Sequence, residues 1–306
     1  MFTYTLRRLL SALPVLLGVS ALSFSLLAFV PGDPVDIMLG DQAATADKDA
    51  LRRELGLDRP FGERLAGFYS GLSRLDLGRS LQSRRPVSEE ILERVPATIE
   101  LTLGAMFLAL SIGIPFGVLA AVRRHSWVEK AALAYGLVGM STPGFWLGPM
   151  LILGFAIQLD WLPVSERGGL EHLVLPSLTL ALGLSAILTQ VTRASMIEVV
   201  REDYVNVARA KGLRPFKIWF KHALANAMMP IITIIGLQFG ALLTGTVIVE
   251  TIFDWPGVGT LLFQAIQQRN YPLVQGCVLL IATTYVVVNL ITDLAYAAAN
   301  PKVRLG

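Results

Sequence analysis

Cysteine and charge are what this chain has least of. Cys277 is the single cysteine in 306 residues, so neither an intramolecular disulfide nor a cysteine metal cluster can form. The three histidines, His125, His172 and His222, fall outside the centres of the apolar runs. No H-E-x-x-H pairs two of them and no G-x-S-x-G elbow occurs, which removes the usual signatures of a zinc or serine hydrolase. No G-x-x-x-x-G-K-[ST] phosphate loop is present either. No catalytic residue and no metal ligand is therefore assigned. Charged residues make up 16% of the chain and hydrophobic ones 54%, against about 25% charged in a typical soluble domain. The net charge of +3 is too small to imply a nucleic-acid partner, although its distribution is informative.

What is abundant is apolar sequence in long runs. A helix of about 20 apolar residues crosses the hydrocarbon core of a bilayer. Six segments meet that length: Leu9 to Val30, Thr98 to Val122, Ala131 to Leu159, Leu173 to Val191, Met228 to Val249 and Leu273 to Tyr296. Backbone groups in lipid must be satisfied within the segment, so the expected fold is an all-α polytopic membrane protein with six transmembrane helices. Arg7 and Arg8 precede the first run, which is too long for a signal core and lacks a small-x-small cleavage site, and so reads as a retained anchor.

Basic residues alternate from one interhelical segment to the next. Arg123, Arg124 and Lys130 lie between runs two and three, and Asp160, Glu166 and Glu171 between three and four. Arg193, Arg201, Arg209, Lys211, Arg214, Lys217 and Lys221 lie between four and five. Excess Lys and Arg marks cytoplasmic loops, so both termini and the loop 193–226 are predicted to be cytoplasmic. The expected organisation is residues 1–30 as N-terminus and first helix, 31–96 as a small extracytoplasmic domain, and 97–306 as the membrane core. Within 31–96, helices are expected from Asp47 to Gly56 and around Leu65, Phe68, Tyr69 and Leu72. A turn at Asp76-Leu77-Gly78 precedes Val87 to Val95.

The loop between runs four and five has internal design. Apolar residues from Ile197 through Val200, Tyr204, Val207 and Ala208 recur in steps of three and four. Arg209 and Lys211 suit the negative end of a helix and Gly212 its left-handed cap. Pro215 suits the first turn of a second helix carrying Phe216, Trp219, Phe220, Ala223 and Leu224. Composition alone also allows a lipid-touching, orientation-setting loop. Interspersed acidic residues argue against nucleic acid. The glycine-stopped pair of helices favours a docking element for a partner.

Asp203-Tyr204-Val205, Ala208-Arg209-Ala210-Lys211-Gly212-Leu213 and His222-Ala223-Leu224-Ala225-Asn226-Ala227 with Pro230 resemble the coupling-loop motif of ABC importer permeases, in their peptide and nickel branch. Leu55 to Pro60, the run from Asp76, STPGFWLG from Ser141, LPSLTLALG from Leu175, and ETIFDWPGVG from Glu250 with Tyr271-Pro272 look like family blocks in family order. Two positions depart from it: Ala225 stands where the broad importer motif has proline, and Gln190 where many relatives carry arginine. The resemblance implies a permease subunit in the bacterial inner membrane that hydrolyses nothing itself. Its implied partners are a second, homologous permease in a heterodimer, two ATPase subunits that bind ATP and Mg, a periplasmic or lipid-anchored substrate-binding protein, and the lipid bilayer. It implies that Asp203, Ala208, Arg209, Ala210, Lys211, Gly212, Leu213 and Lys217 form the ATPase-coupling loop. Di- or oligopeptides are the expected substrates, with nickel chelates, glutathione or sugars as alternatives.

Polar residues inside spans are costly and usually face a water-filled interior. Gln190, Gln238, Thr244, Asn289 and Asp293 are therefore candidates for a translocation path, with bonds between packed helices as the alternative. Gly113, Gly117, Gly136 and Gly240 suit close helix packing. At the outer end, Glu250, Asp254, Trp255, Pro256 and Gly257 suggest a gate or binding-protein contact, and an interfacial tryptophan anchor is the plain alternative. An intramembrane enzyme or a membrane scaffold remains the reading from other classes.

Overall fold

The computed structural model describes residues 13–25, 35–36, 44–54 and 56–299. The ends of the first apolar run, Pro31 to Pro34, and Lys302 and Arg304 at the C-terminus lie outside them. Among the described residues there is no β-strand, only an isolated bridge between Arg79 and Pro86. The helices are α1 (Leu13–Ser25), α2 (Thr45–Glu54), α3 (Phe61–Ser73), α4 (Val87–Val122), α5 (Trp127–Ser141) and α6 (Gly144–Leu151). There follow α7 (Leu170–Val199), α8 (Asp203–Ala210), α9 (Pro215–Lys217), α10 (Leu224–Gly245), α11 (Val247–Ile252), α12 (Val258–Gln267) and α13 (Tyr271–Ala299). Among the described residues, four stretches are long and apolar enough to cross a membrane, five if the bent pair α5 and α6 counts as one.

The bend corrects one expectation. Ala131 to Leu159 reads as a single apolar run, yet its two halves meet at 101°. Thr142 takes an extended conformation, φ −89° and ψ 112°, directly before Pro143. The proline ring disfavours helical geometry in the residue preceding it, so the helix stops there. Beyond the bend, α6 passes into a π-helix, Ile152–Gln158.

A second correction concerns the fifth run. It begins at Pro215 rather than Met228, because α9 continues through a π-helix, Ile218–Ala223, into α10 as one hydropathic stretch from Pro215 to Leu243. It also ends earlier, since Gly245 closes α10 and α11 begins at Val247.

The chain divides into two compact units, one of residues 97–255 with 287–306, the other of residues 2–96 with 256–286. In the second unit, Val87, Ile91, Val258, Leu261, Ala265, Leu273, Val274 and Cys277 form a buried cluster. Buried Asn270 ties the 80–81 turn to it, accepting from Leu81 N at 3.0 Å and donating to Ser80 Oγ at 2.7 Å. Helix α3 lies along α1: Phe24 packs on Phe61 and Phe68, and the Tyr69 hydroxyl donates to Leu17 O at 2.9 Å.

In the first unit, α7 is the central helix, with α5 and α10 packed along it. Ala109, Val118, Ala121, Leu188, Met196, Ala223, Ala227 and Ile231 make its core. Glycine allows the closest approaches. A Cβ on Gly113 would stand 2.7 Å from Leu188 Cβ, and one on Gly117 2.7 Å from the backbone oxygen of Thr189.

Candidate functional site

The loop between α7 and α10 forms a small structure of its own. Asp203 sits in the first turn of α8, where a carboxylate complements the helix dipole, and Arg209 in the last. Gly212, at φ +74°, ends the helix. Its N–H donates to Arg209 O at 2.9 Å, and Leu213 N–H reaches back to Ala208 O at 3.3 Å. These two bonds make a Schellman cap, and the apolar contact that accompanies such a cap is also present. Leu213 and Trp219 pack against buried Val205, Ala208 and Ile218. Arg214 then caps α9, with Pro215 at its first position.

This mini-core shifts the buried face of α8 from the one the apolar spacing suggests. Val205 and Ala208 are inside, whereas Tyr204 and Val207 are 39% and 52% exposed. Phe216 is 69% exposed and stacks on Phe220 with ring centroids 4.6 Å apart. Asp203, Arg209, Ala210, Lys211, Gly212 and Lys217 are all exposed, and Leu213 is half-buried. Burial pushes the Tyr204 phenol above its ordinary value, partly offset by the Asn226 side chain. The result is a stiff knob with a mixed aromatic and basic surface.

The knob is anchored through α7. Arg193 donates to buried Glu129 on α5, from Nε at 3.1 Å and through a second, shorter bond from its terminal nitrogen. Glu129 also accepts from the backbone N–H of His125 at 2.5 Å, closing the turn between α4 and α5. Ser126 and Glu129 have capping-box spacing, but the carboxylate reaches past Ser126 to the residue before it. One turn along α7, Gln190 donates to Ala132 O at 2.9 Å.

The residues expected at the outer end of this unit include a buried pair. Glu250 is fully buried and accepts from Thr98 Oγ1 at 3.0 Å and Thr246 Oγ1 at 2.9 Å. Trp255 is also fully buried, which rules out an interfacial anchor, and its indole N–H donates to Ala97 O at 2.7 Å. Asp254 is exposed at φ +48°. Pro256 and Gly257 open the other unit, where Gly257 precedes α12.

The candidate path residues lie on α7, α10 and α13. Gln190 and Gln238 each donate to a backbone oxygen of a neighbouring helix, Ala132 and Leu184 respectively. Gln238 Oε1 is buried without a partner among the described residues. Asn289 and Asp293 are half-buried on α13, and the side chain of Thr244 lies outside the described ones. No group of three or more His, Cys, Asp or Glu that could hold a metal occurs among the described residues. The spacing of apolar residues did not disclose Glu129, Thr98 and Thr246; only the i, i+3 pair Val205 and Ala208 carried a local signal.

Apolar helices long enough to span a membrane, joined by a capped and exposed loop, define a multi-pass membrane protein. The fold agrees with this. It resembles the inward-facing methionine ABC transporter MetNI in two crystal forms, with TM-scores of 0.58 and 0.55 at 18% identity, over 69% of this chain and 96% of the other. Residues 113–305 match the family described as binding-protein-dependent transport system inner membrane component, and residues 1–102 match its N-terminal family. The chain belongs to this family and is a permease of an ATP-driven importer. It is 41% identical over 336 aligned positions to the dipeptide transport system permease protein DppB of Escherichia coli K12. It is 40% identical over 304 positions to the glutathione transport system permease protein GsiC of the same strain. Each alignment covers 99% of both chains.

Proposed function

We propose that this permease carries short peptides across the bacterial inner membrane as one half of a heterodimeric path, with six spans and both termini in the cytoplasm. A second permease, two ATPase subunits holding ATP and Mg, and an extracytoplasmic binding protein complete the transporter. The knob from Asp203 to Lys217 docks on an ATPase. The observation that carries this reading is the knob itself: a Schellman cap, a private core and an exposed aromatic and basic face. A lipid-touching loop needs its charges but not its shape. Full-length similarity to dipeptide and glutathione permeases supports a peptide cargo, since both named substrates contain peptide bonds.

In this reading residues 31–96 face outward, and the Glu250 and Trp255 lock holds the outer end shut. Gln238 is the path residue of choice, because its buried carbonyl oxygen lacks a partner among the described residues and an unpaired buried acceptor is costly. The test is uptake into proteoliposomes that carry the chain with its partner subunits and the loaded binding protein. Labelled dipeptide or glutathione is expected to accumulate only with ATP. Accumulation of a nickel chelate or a sugar, with neither peptide taken up, overturns the substrate class.

A further inference from the structure

Helices α5 and α7 are joined by rungs that the apolar contacts of the same region do not explain. Glu129 meets Arg193, and three residues further along each helix Ala132 O meets Gln190. Next, the Tyr135 hydroxyl lies 2.5 Å from Ser185 Oγ. Beyond it a Cβ on Gly139 would stand 2.6 Å from Ala186 Cβ. These helices run antiparallel in fixed register, because each rung is a directional bond or a close approach. The Glu129 and Arg193 side chains are 9% and 21% exposed, so water competes little for the pair. Beside the Glu129 and Arg193 rung, the packing of α7 on α10 is different. Leu188, Met196, Ala223, Ala227 and Ile231 meet there through apolar side chains. Such a seam permits small sliding movements, whereas the rungs do not.

Arg193 lies six residues before the end of α7, about 9 Å along the axis, and the knob begins four residues after that end. We infer that Glu129, Arg193 and Gln190 are positioning residues that fuse α5 to α7 beside the knob. A displacement of the knob is then delivered to the bend at Thr142 and Pro143 instead of being absorbed between helices. This rests on the knob being the ATPase dock.

The test compares substrate taken up per ATP hydrolysed in proteoliposomes of the whole complex. Glu129→Gln keeps the shape and removes the charge. It is expected to lower the uptake-to-ATP ratio roughly three-fold while binding-protein-stimulated hydrolysis persists. The exchange Glu129→Arg with Arg193→Glu is expected to recover most of the ratio. Gln190→Leu, the milder variant, supplies the same readout if Glu129→Gln does not assemble. An unchanged ratio in the assembled single variants overturns the inference, as does a proportional fall of uptake and hydrolysis. Gly212→Val separates the two levels. If it uncouples and the clamp variants do not, only the clamp falls; if it leaves the ratio untouched, the docking reading falls and takes the clamp with it.

Discussion

Gly212 occupies φ +74° with nothing within 4 Å of where a Cβ would stand. The cost of a substitution there is backbone strain alone, on the order of 1–2 kcal/mol for an ordinary residue and less for asparagine, which visits this region readily. Gly212→Val is therefore expected to loosen the knob and uncouple hydrolysis from uptake, while Gly212→Asn keeps most coupling. Proteoliposome assays of both quantities check this, and wild-type coupling in the valine variant refutes it. Trp255 poses the opposite case, a fully buried ring whose single polar atom is satisfied by Ala97 O. Trp255→Phe keeps most of the packing and forfeits that bond, with an expected loss of about 1 kcal/mol. It should appear as a lower unfolding midpoint of the purified protein.

At the scale of elements, the helix seams decide which changes are tolerated. Gly117→Ala drives a methyl group into a backbone oxygen at 2.7 Å, and Gly113→Ala meets Leu188 Cβ at the same distance. Neither neighbour is the free end of a flexible side chain, so each change is expected to cost about 1–3 kcal/mol by overpacking. Gly154→Ala, with nothing within 4 Å, is the matched control and should be neutral. Thermal unfolding of the three variants in detergent distinguishes them; equal midpoints would deny the close seam.

Several elements were legible because their punctuation is local. Gly56 at φ +64° follows α2, and Gly212 and Pro215 bracket the knob's turn. The bend at Thr142 and Pro143 carried a local signal too, but unbroken apolarity on both sides masked it. Continuity from α9 into α10 was hidden for the reverse reason. Lys217, Lys221 and His222 interrupt the hydropathy without interrupting the helix. The buried side of α8 was ambiguous because Tyr204 and Val207 repeat at the same spacing as the residues that are buried. Glu129 and Arg193 stand 64 positions apart, a separation over which periodicity says nothing.

For the whole molecule, composition alone announced a membrane protein, and the described helices and the family match agree with it. Where compact units divide was less legible. One division falls at Pro96 and Ala97, yet residues 256–286 join the N-terminal unit through the cluster around Val87 and Val258. Long-range packing of that kind leaves no periodic trace. The central claim is that the exposed face of the knob meets an ATPase on the cytoplasmic side. Lys211, exposed at the C-cap of α8, is the place to test it, since native Cys277 is buried and gives little background. With Lys211→Cys, a membrane-impermeant maleimide should label inverted vesicles stripped of the ATPase but not intact cells, and rebinding the ATPase should protect the site. Labelling from outside intact cells, or no protection by the bound ATPase, would contradict the account.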